Sequence, residues 1–195
     1  MQLILASNNA HKIEELRRLF AETDVSFAGL SDWPELPEPP ETQDTFAGNA
    51  LQKARFVFER TGIMAVADDS GLVVDALNGQ PGVYSKRWTL EATAQSNNHR
   101  LLTELDGITT RTARFVCAMA VVWSGGERVI EGTCEGSIAT ALRGAGGFGY
   151  DPLFLPDARP GRTMAELSGE DKNAISHRGR AFCHLPALLA EIAGA

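Results

Sequence analysis

The two stretches flanking Ser124-Gly125-Gly126 constrain the fold of this chain more than anything else in it. Arg114 to Trp123 and Glu127 to Ala139 read as two long strands meeting at that break, a β-hairpin signal that commits the centre of the chain to a sheet. The first of them holds the longest unbroken apolar run, Phe115 to Trp123, at nine residues. That is well short of the ~20 needed to span a bilayer, so the run belongs in a protein core.

What precedes the hairpin alternates strand and helix. Residues 2–6 (QLILA) form an apolar run too brief for a helix and read as a buried strand. Asn8 or Asn9 then caps a helix to about Glu22, with Ile13, Leu16, Leu19 and Phe20 on one stripe. Residues 33–42 hold four of the nine prolines and predict an extended, exposed loop. Asp44 or Thr45 caps a second helix that buries Phe46, Ala50, Ala54, Val57 and Phe58 and ends at Gly62. Ile63 to Ala67 is a second strand, expected to stop at Asp68-Asp69-Ser70-Gly71, and Leu72 to Leu77 a brief extension before a turn at Asn78-Gly79. A third helix is expected over about 91–105, and a mostly helical tail from Asn173 to Ile192 with Pro186 kinking or restarting it. The pattern is α/β with a mixed sheet, in one domain over 1–195.

Charge and cysteine usage narrow the function. The 195 residues carry 25 acids against 18 bases, a net charge of -7, which excludes a basic nucleic-acid-binding face. Positive charge for an anionic ligand must therefore be local, and only Lys12, Lys53, Lys86 and Lys172 are lysines. Cys117, Cys134 and Cys183 leave one thiol over under any pairing and form no Cys-x-x-Cys, which fits a reducing cytoplasm. The opening MQLILASNNAHK has no basic lead, long apolar core or cleavage site, so neither a signal peptide nor a membrane partner is expected.

Four segments carry candidate chemistry, and each has a plainer reading beside it. Ser7, Asn8, Asn9, Ala10, His11 and Lys12 lie where a helix N-terminus would seat phosphate, or where asparagine simply caps a helix beside an exposed lysine. The Gly-x-x-x-x-Gly-Lys pattern of a P-loop is missing. Asp68 and Asp69 at a strand end offer carboxylates to magnesium, with Glu41 or Asp44 as a further ligand, or else make a turn. Gly144 to Asp151 reads as a surface turn or as a loop offering Phe148 and Tyr150 to stack on a base. Lys172 with Ser176-His177-Arg178-Gly179-Arg180 is a polar helix turn or a cluster of donors for a base or phosphate. Gly179 inside a helix costs about 1 kcal/mol relative to alanine, which points to a close approach there. Together the four make up what a magnesium–nucleotide enzyme requires.

In this order, SNNAHKIEEL, ETQDTFAGNALQKA, ADDSGLVVDALNGQPGVYS, GGFGYDPLF and KNAISHRGRAF resemble the Ham1-like inosine triphosphate pyrophosphatases over nearly the whole chain. The resemblance implies a long curved mixed sheet flanked by helices, two lobes with a central substrate cleft, and a homodimer. It implies hydrolysis of ITP, dITP and XTP to the monophosphate and pyrophosphate with Mg2+. Ser7 to Lys12 would hold the triphosphate, Asp69 would be general base and metal-site carboxylate, Glu41 a second metal-site acid, and Ser70 a substrate contact. Phe148, Gly149, Tyr150, Asp151, Lys172, His177 and Arg178 match nucleoside-binding positions. Gln43 replaces a usual glycine, and Trp88-Thr89-Leu90 the usual Tyr-x-Gly stretch, which puts local loop geometry at issue. A non-catalytic nucleotide binder on the same scaffold and a Maf-like pyrophosphatase are the alternatives.

Overall fold

The computed structural model describes residues 1–7, 13, 20 and 25–194. The helix expected from Asn8 or Asn9 to about Glu22 lies outside the described residues, apart from Ile13 and Phe20, which are both buried.

The described strands are β1 (Gln2–Leu5), β2 (Ser26–Gly29), β3 (Ala65–Val74), β4 (Thr112–Trp123), β5 (Gly126–Ile138) and β6 (Phe154–Pro156). They form one mixed sheet in the order β2-β1-β3-β4-β5-β6. β1 runs parallel to β2, with Leu3 opposite Phe27, and parallel to β3, with Leu5 opposite Val66. β6 is antiparallel to β5, with Ser137 opposite Leu155. The two-residue link between β4 and β5 is the expected hairpin, since parallel neighbours need a long crossover. The helices are α1 (Phe46–Thr61), α2 (Ala94–Glu104), α3 (Gly169–Ile175), α4 (His177–Phe182) and α5 (Leu185–Gly194). The result is α/β, as the alternation of strand and helix implies.

Three expectations are corrected. Asp68-Asp69-Ser70-Gly71 does not end a strand: β3 runs unbroken through it from Ala65 to Val74. The tail is three short helices, because Ser176 adopts an extended conformation between α3 and α4. Strands β2 and β6 carried no sequence signal, being four and three residues long.

The described residues divide into two compact units: one from Met1–Asp69, Ala118–Glu131 and Cys183–Ala195, the other from Ser70–Cys117 and Gly132–Phe182. The first has a core built largely of alanine, with Ala50 and Ala54 of α1 packed with Ala65, Ala67, Ala118 and Ala120. Small side chains at the contact let a helix lie close to a sheet. The second has a bulkier core that includes Leu72, Leu101, Phe115, Tyr150, Leu153 and Phe154.

Candidate active site

In the first unit, side-chain alternation along β3 decides which acid meets α1. Ala65, Ala67 and Asp69 share one face and Val66 and Asp68 the other. Because Ala65 and Ala67 pack with α1, Asp69 is delivered to the same helix, while Asp68 turns the other way and is 3% exposed. The two neighbouring acids are therefore not one paired ligand set.

Thr45 starts α1 by accepting from the Gly48 N–H, and Gly62, in the left-handed conformation, ends it. Asn49 and Lys53, one turn apart, lie on the buried face among Ala50, Ala54 and Val57. Asn49 Nδ2 donates to Asp69 Oδ2 at 3.0 Å. Lys53 Nζ stands 2.6 Å from Glu41 Oε1 and 3.7 Å from Asp69 Oδ1. Burial pushes the Asp69 carboxyl above its ordinary value, Lys53 and the Asn49 amide pull it back, and Glu41 and Asp68 push it further up.

Three carboxylates thus act on this place against one ammonium. The excess negative charge and the hard oxygen donors fit magnesium, which takes one or two carboxylates and completes its shell from water and phosphate. Glu41 and Asp69 are the residues that would hold it. Among the described residues no group of three or more His, Cys, Asp or Glu side chains forms a larger cage.

In the second unit, a buried carboxylate organises the glycine-rich loop. Asp151 Oδ2 accepts from the Phe148 N–H and from Lys172 Nζ, each at 2.6 Å. Gly147 has φ +72°, and a side chain there would strike the same carboxylate oxygen. The Phe148 ring is left 66% exposed, with Lys172 Nζ 4.5 Å and Arg178 Cζ 6.0 Å from its centroid. Tyr150 behaves differently. Its ring lies in the core and its hydroxyl donates to the Ser85 carbonyl at 2.9 Å, so only Phe148 offers a stacking face. Burial pushes the Tyr150 phenol upward. Asn98 Nδ2 fixes the Gly149 carbonyl at 2.8 Å.

His177 opens α4 with its ring stacked on Phe115, centroids 4.9 Å apart. The close approach expected at Gly179 is present: a Cβ there would collide with the Asn173 carbonyl. Gly132 of β5 likewise leaves room for the backbone of α4 at His177 and Ala181. The departure at Trp88-Thr89 is absorbed locally, since Arg100 stacks on Trp88 at 4.3 Å and Asn97 accepts from the Thr89 N–H.

Ser7 lies half-buried just past β1, and Ser70, also half-buried, follows Asp69 on β3. Asn8, Asn9, Ala10, His11 and Lys12 lie outside the described residues. Asn49 and Lys53 are absent from the candidates drawn from sequence. The available signal was two polar residues at helical spacing on an otherwise apolar helix face.

A family model described as the Ham1 family matches residues 3–188. The dITP/XTP pyrophosphatase of Geobacillus kaustophilus is 48% identical over 197 residues, covering 99% of this chain and 96% of that protein. The solved Ham1 protein of Staphylococcus aureus superposes with a TM-score of 0.92 at 37% identity, covering 98% of this chain and 99% of that one. The nucleoside-triphosphatase / dITP/XTP pyrophosphatase of Mycobacterium abscessus gives a TM-score of 0.82 at 48% identity, over 95% of this chain and 98% of that one.

Proposed function

The chain belongs to the Ham1 family, and from that premise we infer that it hydrolyses ITP, dITP and XTP to the nucleoside monophosphate and pyrophosphate. The observation that carries this reading is the Asp69 site. A carboxylate pushed up by burial, oriented by an amide and set beside a lysine and a second acid is suited to accept a proton from attacking water.

Asp69 orients that water toward the α-phosphorus and takes its proton. Lys53 lies beside both acids, where an ammonium offsets charge developing on phosphate oxygens. Bound by Glu41, Asp69 and the substrate, magnesium would supply neutralisation of the triphosphate and of the pyrophosphate leaving group. Ser7 to Lys12 are assigned to the triphosphate and Ser70 to a substrate contact.

Base recognition is assigned to Phe148, Gly149, Tyr150, Asp151, Lys172, His177 and Arg178. The exposed Phe148 ring supports stacking, and the cations near it support donation to an acceptor oxygen at purine position 6. Adenine presents an amino donor at that position and would leave those donors unpaired, so ATP is expected to be a poor substrate. Exclusion of GTP, which has the oxygen, requires the pocket to disfavour the 2-amino group.

A homodimer in the cytoplasm belongs to the same reading. No helix among the described residues is long and apolar enough to cross a membrane. The test is a panel of ITP, dITP, XTP, GTP and ATP with magnesium, scored for pyrophosphate against orthophosphate. Pyrophosphate from the first three supports the reading; orthophosphate alone, or no turnover of any of them, rejects it.

A further inference from the structure

Three consecutive residues of the loop before α1 are each held by a different side chain of that helix. Glu41 is held by Lys53, with Nζ 2.6 Å from Oε1. Thr42 is held twice by Gln52, its N–H donating to Oε1 at 2.9 Å and its Oγ1 accepting from Nε2 at 2.8 Å. The Gln43 N–H donates to Asn49 Oδ1 at 2.9 Å. Asn49 alone has a second task, because its Nδ2 donates to Asp69 Oδ2.

The orientation of the Asn49 amide is fixed by its partners. A backbone N–H can only donate and an ionised carboxylate can only accept, so Oδ1 must face Gln43 and Nδ2 must face Asp69. Asn49 is 1% exposed, so water cannot replace either bond once it is broken. One short side chain, anchored in the alanine-rich packing of α1, thereby sets the loop that carries Glu41 against the strand that carries Asp69.

We propose that Asn49 is a positioning residue that fixes Glu41 and Asp69 in the mutual placement a divalent cation needs, with Gln52 as a secondary clamp on the same loop. The proposal rests on the reading above in which these two acids hold magnesium. Groups that orient metal ligands typically contribute about 10–100-fold to metal affinity or activity. A residue needed only for folding would change stability and leave the cation's affinity in the folded protein alone.

The test is titration of the substrate-free chain with Mn2+, followed by electron paramagnetic resonance, beside thermal melting and steady-state kinetics with ITP. Asn49→Ala is expected to stay folded, to bind Mn2+ at least about tenfold more weakly, and to lose kcat while KM for ITP moves by less than about threefold. Gln52→Ala, which releases only Thr42, should weaken Mn2+ by a smaller factor. Should Asn49→Ala fail to fold, Asn49→Gln carries the test. It keeps the amide but displaces it by a methylene, so affinity must still fall. A folded Asn49 variant with wild-type Mn2+ affinity overturns the proposal, and so does a wild-type chain that binds no Mn2+. A wild-type chain that binds Mn2+ yet hydrolyses no nucleoside triphosphate would defeat the assigned activity alone, leaving the comparison of variants to decide the role of Asn49.

Discussion

The acidic site on α1 and β3 and the aromatic loop at 147–151 both use a buried carboxylate to hold a lysine, yet they end with opposite charge. At the first, Glu41, Asp68 and Asp69 outnumber Lys53. At the second, Asp151 is spent on Lys172 and the Phe148 N–H, and Arg178 stands near the same ring as an additional cation. Surplus negative charge suits a metal ion, and surplus positive charge suits acceptor oxygens on a base. The two also differ in exposure. Asn49 and Lys53 are buried on a long helix, whereas Phe148 is open to solvent on a loop. Chemistry that depends on placement sits on regular elements, and recognition sits on a surface that can close on a ligand.

The sharpest way to break this comparison is to neutralise the acidic site. Asp69→Asn keeps shape and removes the proton acceptor, so kcat should fall by about 10²–10⁴-fold, measured as pyrophosphate release from ITP. Stability should move the other way. Because burial raises the Asp69 carboxyl, the folded chain binds that proton more tightly than the unfolded chain. The stability tied to that proton is present at low pH and lost as pH rises through the raised value. Without added metal, the melting temperature of Asp69→Asn relative to wild type should therefore increase between about pH 4 and about pH 8. Glu41→Gln should raise the magnesium requirement, and activity that no magnesium concentration restores would show Glu41 to be misassigned.

An intermediate effect belongs to the aromatic loop. Removing a charged donor typically costs about 1.5–3 kcal/mol, so Arg178→Ala should lower kcat/KM for ITP by about 10–100-fold and for ATP far less. Measured with ITP, XTP, GTP and ATP, an equal loss on all four would place Arg178 with the phosphates or the fold.

The smallest effect concerns Gln43. A Cβ at Gly48 would lie 2.8 Å from the Gln43 Cβ and 2.9 Å from Thr45 Oγ1, so the glycine accommodates the side chain that departs from the family pattern. Gly48→Ala normally gains about 1 kcal/mol of helix stability. That gain should be larger in a Gln43→Gly background than in wild type, by chemical denaturation. Equal gains would mean the contact costs nothing.

These contrasts also explain what could be read in advance. The hairpin, the cap at Thr45, the stop at Gly62 and the buried Cys117 and Cys134 follow from local pattern. The grouping of Phe148, Asp151, Lys172 and Arg178 matches segments chosen for glycine and donor chemistry. Asp68-Asp69-Ser70-Gly71 misled because turn composition outweighed strand pairing, and tertiary context won. Asn49 stayed hidden because its two bonds reach six residues back and twenty residues on, to partners that only the packed helix and strand bring together.

The central claim is water attack at the α-phosphorus, and oxygen-18 water tests it most directly. Hydrolysis of ITP with magnesium should place the label in the monophosphate and release unlabelled pyrophosphate. Label in orthophosphate, with a nucleoside diphosphate as the other product, would contradict the account.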